Sequence, residues 1–253
     1  MKPEALRDAR AEANGPTIVC AQAGNVATGA FDAFDAIADV CSTHNAWLHI
    51  GGAFGLWAAA APATRHLTRG VERADSWAVD AHKWLNVPYD AAMAIVADAE
   101  AHVAAMNLAA PYLMADSSGR DNANYVPESS RRARAVPVYA ALRSLGRAGV
   151  ADLIERNCAQ ARRMAERVGT IPGATVVNDV VLNQVLLRLP GGDEANRAAV
   201  AAIQRDGTCW LGGTTWHGQH VLRVSISNWA TTDDDVDRSV DAIALAAQTI
   251  PYS

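Results

Sequence analysis

The sequence predicts an α/β fold in which a mostly parallel sheet precedes a smaller α+β unit. Four short apolar runs in the first part of the chain alternate with stretches whose apolar residues repeat at helical spacing. Continuous apolar strands separated by helices are typical of parallel sheets that are covered on both faces. Beyond about residue 174 the pattern changes to strand-like segments between helical ones. We therefore expect two units, residues 1–150 and residues 151–253.

The first strand and helix follow from the local pattern. "TIVCAQA" is an apolar run bounded by Pro16 and Gly24, and both residue types punctuate regular structure. In the following "FDAFDAIADVCSTHN", the apolar residues from Phe31 to Cys41 fall on one helical face. The order is therefore strand, then helix.

Three further segments, "AWLHIGG", "SWAVDAH" and "AAMAIVA", repeat the strand signal. In open parallel sheets, ligands bind outside the carboxyl ends of the strands. Gly51 and Lys83 lie at two such ends, which makes this edge of the sheet the expected site.

The rest of the chain divides into a loop, a linking helix and the second unit. Polar turn residues without periodicity fill Pro111–Arg132, which predicts a long loop. The segment from Ala133 to Gly169 is strongly helical, with a break marked by Gly146 and Gly149, so we expect a long helix that links the two units. In the second unit we expect two or three antiparallel strands, a helix from Asp193 to Asp206 and a closing helix.

Composition argues against several classes of function. The formal net charge is -5 and the arginines are scattered apart from "SSRRAR", so we expect no nucleic-acid partner. No apolar run approaches the about 18 residues of a membrane span, and the start "MKPEALRDAR" is charged where a signal peptide needs an apolar centre. The 4 cysteines are too widely spaced for a CxxC metal site and too few for a disulfide framework. We expect a cytoplasmic protein with reduced thiols, mostly in the core, and without membrane association.

Lys83 stands out because a charged amine follows an apolar, strand-like run in "DSWAVDAHKWLNVPYD". One interpretation is a lysine whose aliphatic stem covers apolar surface while its amine reaches solvent. The other is a partly desolvated, nucleophilic amine that forms a Schiff base with a carbonyl compound. Asp80, His82 and Trp84 supply a charge, hydrogen-bond donors and a stacking face, and this local composition favours the nucleophile.

The same segment resembles the lysine segment of the group II pyridoxal-phosphate-dependent amino-acid decarboxylases, which include glutamate, diaminobutyrate and aromatic amino-acid decarboxylases. "AQAGNVATGAFDAFDAIADVC", "WLHIGGAFGLWA", "ESSRRARAVPVYAALRSLGRAGV" and "VLRVSISNWATTDDDVDRS" are similar to that family in the same order, so the resemblance covers nearly the whole chain. It implies the fold type I architecture of pyridoxal-phosphate-dependent transferases. Residues 1–150 would form a partial large, cofactor-binding domain ending in the linking helix, and residues 151–253 a small α+β domain. It also implies a homodimer and a pyridoxal phosphate held by Lys83 as a Schiff base.

Position by position, the resemblance implies roles for residues near that lysine. His82 would lie beside the phosphate or the ring of the cofactor. Ala53 matches the small residue that packs beneath the pyridine ring, where a larger side chain would push the ring away. Asp80 matches a position at which the family varies among small polar residues, and we include it among the cofactor-binding candidates without a defined role.

Asn25, Thr28 and Arg223 are further candidates, each with a plainer alternative. Asn25 and Thr28 match a polar loop beside the cofactor, but both are equally typical of an ordinary turn. Arg223, in "VLRVSIS", could receive a substrate carboxylate in bidentate fashion, or it could form a structural ion pair. The two histidines of "HGQH" have no carboxylate or cysteine nearby, so we predict no metal site.

Two features depart from the family pattern, and both concern the cofactor. Family members carry an aspartate after the strand "WLHV" that pairs with the pyridine nitrogen and keeps it protonated, so that the ring accepts electrons. That position is Gly51 here, and Asp80 or a water is the remaining candidate to reach the ring. Family members also carry a long stretch before the segment with which this chain begins. We therefore expect the chain to correspond to the carboxyl-terminal portion of the family fold, without the amino-terminal half.

The combined prediction is a pyridoxal-phosphate-dependent carboxy-lyase that converts an amino acid to an amine, with Lys83 and His82 as catalytic residues. Its expected partners are a small-molecule amino acid and further copies of the same chain. The alternative is a catalytically degenerate remnant of the decarboxylase fold with a non-enzymatic or weak hydrolytic role. The sequence does not select one amino acid as the substrate.

Overall fold

A computed structural model of the chain describes residues 1–106, 121–128 and 130–249. The first unit contains a four-stranded sheet, formed by β1 (Ile18–Gln22), β2 (Trp47–Gly51), β3 (Ser76–Asp80) and β4 (Ala92–Val96) in that spatial order. β1, β2 and β3 are parallel, whereas β4 runs antiparallel to β3. The predicted α/β fold with a mostly parallel sheet is confirmed. The direction of β4 follows from its short connection to β3, since a parallel neighbour would need a longer crossover.

The helices of the first unit are α1 (Pro3–Glu12), α2 (Phe34–Thr43) and α3 (Ala99–Met106), with short 3₁₀ helices at Gly55–Ala60, Arg65–Thr68 and Val71–Arg73. α2 buries Phe34, Ile37 and Cys41 in the core beneath the sheet, as the helical spacing predicts. Phe31 was expected to lie on this helix, but the helix begins after it, at Phe34. It pairs with Ala23 in an isolated bridge, and its ring meets the Phe34 ring edge-on at 6.5 Å.

The two faces of the first sheet are buried to different extents. Successive side chains of a strand point to opposite faces, and Val19, Leu48 and Ile50 on one face are at most 4% exposed. On the opposite face Ile18 is 68% and Trp47 is 36% exposed. The expectation of a sheet covered on both faces is therefore wrong for the part of the chain that the structure describes.

A long helix, α4 (Ala135–Val168), links the two units as the sequence predicts. Its break lies at Gly146, whose φ of 62° belongs to the left-handed region that glycine adopts without a steric penalty. The predicted boundary between residues 150 and 151 falls within α4 and stays a prediction. Of the predicted loop, residues 111–120 and 129 lie outside the described residues, and a 3₁₀ turn occupies Asn122–Tyr125.

The second unit is an antiparallel sheet packed against helices. Its strands are β5 (Thr175–Val176), β6 (Gln184–Arg188), β7 (Gly212–Trp216) and β8 (Gln219–Ser225), in the spatial order β5-β6-β8-β7. Its helices are α5 (Gly192–Asp206) and α6 (Asp233–Thr249). The predicted α+β arrangement is confirmed with one additional strand, β5, whose two residues are too few to show alternation in the sequence.

One hydrophobic core holds this second unit together. Val185 and Leu187 of β6 and Leu222 of β8 contact Ile203 of α5 and Ile243 of α6 in the same cluster. All five are at most 1% exposed. The helices of the second unit therefore cover one apolar face of the small sheet. The opposite face is the one available to pack against the first unit.

Two polar contacts, one buried and one exposed, fasten the segment after Lys83 to the rest of the molecule. Trp84 is 1% exposed, and its indole N–H donates to Oδ1 of the fully buried Asn157 on α4 at 2.9 Å. Two residues further on, the Asn86 amide donates to the Ser227 carbonyl at 2.8 Å, just after β8. Leaving a buried polar group without its partner costs about 1–3 kcal/mol. These bonds therefore fix the lysine segment against both α4 and the second unit.

The cysteines behave as isolated thiols. Cys41 and Cys158 are buried, Cys209 is half-buried and Cys20 is exposed, and all four are free. Burial raises the pKa of the Cys158 thiol to about 11, so it remains protonated at neutral pH. The reduced state of the thiols stays a prediction, and two of the four lie in the core.

Candidate active site

The candidate site lies at the carboxyl edge of the first sheet because its strands are parallel and in register. Gly51 at the end of β2 lies opposite Ala78 of β3. At the end of β3, the Asp80 N–H donates to the carbonyl of Ala53, two residues past β2, at 3.3 Å. The two segments that carry the predicted site residues, 51–53 and 80–84, therefore lie side by side.

Lys83 reaches into this edge with its amine. Its Nζ lies 2.7 Å from Oδ2 of Asp80 and 5.8 Å from the centroid of the Phe54 ring. Its side chain is 34% exposed, so the amine is accessible to a small molecule. A lysine that only covered apolar surface would direct its amine to water. Here the amine meets a carboxylate and an aromatic face.

His82 is fixed by contacts on both sides of its ring. Nδ1 lies 2.8 Å from the Ala91 carbonyl oxygen, which can only accept, so Nδ1 carries a proton and donates it. Nε2 faces Asp80 at 3.6 Å from Oδ2. The ring of Tyr89 lies over the imidazole with 4.3 Å between centroids. Nε2 is therefore the imidazole nitrogen that remains for other chemistry.

Sequence reasoning missed three aromatic residues of this site. Phe54 faces the Lys83 amine, Tyr89 stacks on His82, and the Trp57 indole N–H donates to the Asp80 carbonyl at 2.9 Å. Each contact joins residues that lie apart in the sequence. The only local signal was the presence of aromatic residues within a few positions of Ala53 and Lys83.

Asn25 and Thr28 lie in the turn after β1, and the structure shows the turn chemistry that was their plainer alternative. Oδ1 of Asn25 accepts from the backbone N–H groups of Ala27 at 3.0 Å and of Thr28 at 3.1 Å. The Thr28 hydroxyl accepts from the Ala30 N–H at 3.3 Å. A role of these two side chains in cofactor binding stays a prediction.

Arg223 connects the second unit to the same turn. Its guanidinium donates from Nη1 to the Val26 carbonyl at 2.8 Å. No carboxylate among residues 1–106, 121–128 and 130–249 forms an ion pair with it, so its alternative role as a structural ion pair is not what the structure shows. Because a guanidinium has five N–H groups, donors remain for an anionic ligand near the carboxyl edge.

The comparisons with known proteins decide the family. The family model described as "Pyridoxal-dependent decarboxylase conserved domain" matches residues 1–190. The chain belongs to the pyridoxal-dependent decarboxylase family. The resemblance described above is confirmed.

Curated relatives and solved structures agree with this assignment. The chain is 30% identical to a histidine decarboxylase from Drosophila melanogaster over 253 residues, 98% of this chain and 29% of that protein. It is 29% identical to an aromatic-L-amino-acid decarboxylase from Drosophila lebanonensis, covering 88% of this chain and 56% of that protein. The crystal structure of Oryza sativa TDC with PLP and tryptamine superposes with a TM-score of 0.91 at 25% identity, covering 98% of this chain and 55% of that one. The chain thus spans about half the length of such relatives, or less.

Pyridoxal phosphate, the cofactor of this family, fits the site at its aldehyde end. Lys83 offers an accessible amine at the carboxyl edge of a parallel sheet, where ligands of such sheets bind. Ala53, whose side chain is only a methyl group, lies beside Asp80 through the backbone hydrogen bond between them. At the other end of the ring the resemblance places Gly51 where the family carries an aspartate, and a glycine offers no carboxylate to the ring nitrogen.

The backbone at Gly51 would accept a Cβ without steric conflict. It lies within β2, and its φ is outside the left-handed region. A Cβ built on it would meet only the Ala21 carbonyl oxygen, at an ordinary distance of 3.8 Å. Steric crowding therefore does not require a glycine at position 51. At Gly55, by contrast, a Cβ would overlap the backbone of Ala23 and Gly24.

Within the described ranges, His, Cys, Asp and Glu side chains form no group of three that could hold a metal ion. In the same residues no helix is both long and apolar enough to cross a bilayer.

We predict that Gly51→Asp folds with nearly wild-type stability, whereas Gly55→Ala loses about 1–3 kcal/mol of unfolding free energy through overpacking. An added side chain meets no close neighbour at position 51 and overlaps backbone atoms at position 55, so each variant serves as the control for the other. Urea denaturation followed by circular dichroism measures both. A Gly51→Asp chain as unstable as Gly55→Ala would contradict the open geometry at Gly51.

Proposed function

We propose that this chain is a pyridoxal-phosphate-dependent amino-acid decarboxylase whose reactive amine is Lys83. The observation that carries the proposal is the position of that amine, accessible at the carboxyl edge of β3 and held beside Asp80 at 2.7 Å. Membership in the decarboxylase family supports the reaction type. The relatives' names cover histidine, tryptophan and aromatic amino acids, so an amino acid is proposed as the substrate and no particular one is chosen.

The chain's own residues would divide the work at the cofactor. Pyridoxal phosphate, when bound, supplies an aldehyde that condenses with amines and a ring that draws electrons from the substrate. Lys83 would hold the aldehyde end, and Ala53 would leave space for the ring. His82 would present Nε2 to the reacting groups, since its Nδ1 is committed to the Ala91 carbonyl.

Arg223 would receive a carboxylate of the substrate. Its bond to the Val26 carbonyl places the guanidinium beside the turn that follows β1, at the same edge as Gly51. A guanidinium binds a carboxylate in bidentate fashion more readily than a lysine does. The small unit would thus contribute the substrate's anchor, and the first unit the reactive amine.

Release of amine and carbon dioxide from a panel of amino acids, with added pyridoxal phosphate, tests the proposal. We expect turnover by the wild type and none above background for Lys83→Ala. Gly51→Asp should raise the rate, because it returns a carboxylate to the ring's nitrogen. Losing one member of a buried charge pair costs about 3–5 kcal/mol, which converts to an upper limit of roughly two to four decades in rate.

The outcomes separate the alternatives. A wild type that turns over well while a folded Gly51→Asp does not would mean that the glycine is an adaptation. A stable chain without turnover in both forms would refute decarboxylation by this chain and favour the degenerate remnant.

We also propose that the chain forms a homo-oligomer. Ile18 is 68% and Trp47 is 36% exposed, and the two are register partners on the same face of β1 and β2. Contiguous apolar surface of this kind is typical of association sites. Multi-angle light scattering should report a species larger than 26.7 kDa, and a stable monomer would contradict the proposal.

A further inference from the structure

Asp80 lies between the two side chains that would do the chemistry. Its Oδ2 is 2.7 Å from the Lys83 amine and 3.6 Å from Nε2 of His82. The backbone of Asp80 is held on both sides, since its N–H donates to the Ala53 carbonyl and its carbonyl accepts from the Trp57 indole. Its carboxylate is 20% exposed. Its position is therefore set by the sheet, whereas Lys83 reaches it through a flexible side chain.

The contact also shows which end of a bound cofactor Asp80 would face. In pyridoxal phosphate the aldehyde carbon and the ring nitrogen lie at opposite ends of the ring. A carboxylate in contact with the Lys83 amine is therefore at the aldehyde end. Asp80 cannot at the same time take over, at the ring nitrogen, the charge that is missing at Gly51.

We propose that Asp80 is a positioning residue that tethers the Lys83 amine through a charge-assisted hydrogen bond in the cofactor-free chain. Such bonds between an ammonium and a carboxylate are short and roughly twice as strong as neutral ones. The bond must break before the amine can attack an aldehyde, so the tether holds the amine in place and slows its reaction. Phe54 and His82 complete the surroundings of the pair, and no second carboxylate contacts Lys83 in the described residues.

The inference rests on the proposed function for its biological meaning, but its test needs neither cofactor nor turnover. Formaldehyde and cyanoborohydride methylate lysines, and Lys2 and Lys83 are the two lysines of the chain. Lys2 is exposed and serves as the internal reference. Digestion and mass measurement after a short reaction give the ratio of methylation at Lys83 to that at Lys2.

We expect Asp80→Asn to raise this ratio by up to about fivefold, the range expected for a partly exposed ion pair. In the wild type the ratio should also rise with added salt, which screens the pair, and it should not do so in Asp80→Asn. Asp90→Asn is the matched control. It removes the same charge nearby, but its carboxylate pairs with Arg134, so the ratio should stay at the wild-type value.

An unchanged or lower ratio in a folded Asp80→Asn would overturn the tether. If that variant does not fold, a wild-type ratio that is independent of salt would overturn it equally. A chain that shows the tether but no decarboxylation would refute the proposed function alone. Turnover by the wild type, together with a ratio of Lys83 to Lys2 methylation that Asp80→Asn leaves unchanged, would refute the tether alone.

Discussion

The site depends on the parallel register of β1, β2 and β3. Because these strands run in the same direction, with Gly51 opposite both Gln22 and Ala78, their carboxyl ends lie along one edge. The residues that follow the strands are therefore neighbours at this edge as a direct result of the strand direction. A slip of one residue would turn every side chain of a strand to the opposite face, and Asp80 would lose its place beside Lys83. The buried face, with Leu48 and Ile50 fully enclosed, specifies the register and thereby the site.

The second unit also positions residues at this edge of the first sheet. Trp84 anchors the lysine segment to Asn157 on α4, and Asn86 anchors it to the strand end after β8. The same small sheet carries Arg223 to the turn after β1. Amine and guanidinium thus belong to different units and are held at one edge by hydrogen bonds, of which the Trp84–Asn157 bond is buried. The arrangement of the site therefore depends on the packing between the units as much as on the residues of the site.

Periodic features of the sequence predicted most of the fold. The apolar runs located β1 to β4, and Gly146 marked the break in α4, because burial and backbone freedom are local properties of a sequence. The direction of β4, the bridge of Phe31 to Ala23, and the placement of Tyr89 and Trp57 in the site were not predictable. Each is decided by contacts between distant residues. The site lysine was found because a charge beside an apolar strand is a local anomaly, and the family resemblance gave it a chemical role.

The central claim is that Lys83 is the amine that takes up pyridoxal phosphate. Borohydride reduction of the chain saturated with the cofactor fixes the cofactor to the amine that holds it, and the masses of the digested peptides identify the residue. The account predicts a label on Lys83, its loss in Lys83→Ala, and no label on Lys2, the other lysine of the chain. A label on Lys2 alone, or no label on a folded wild-type chain, would contradict it.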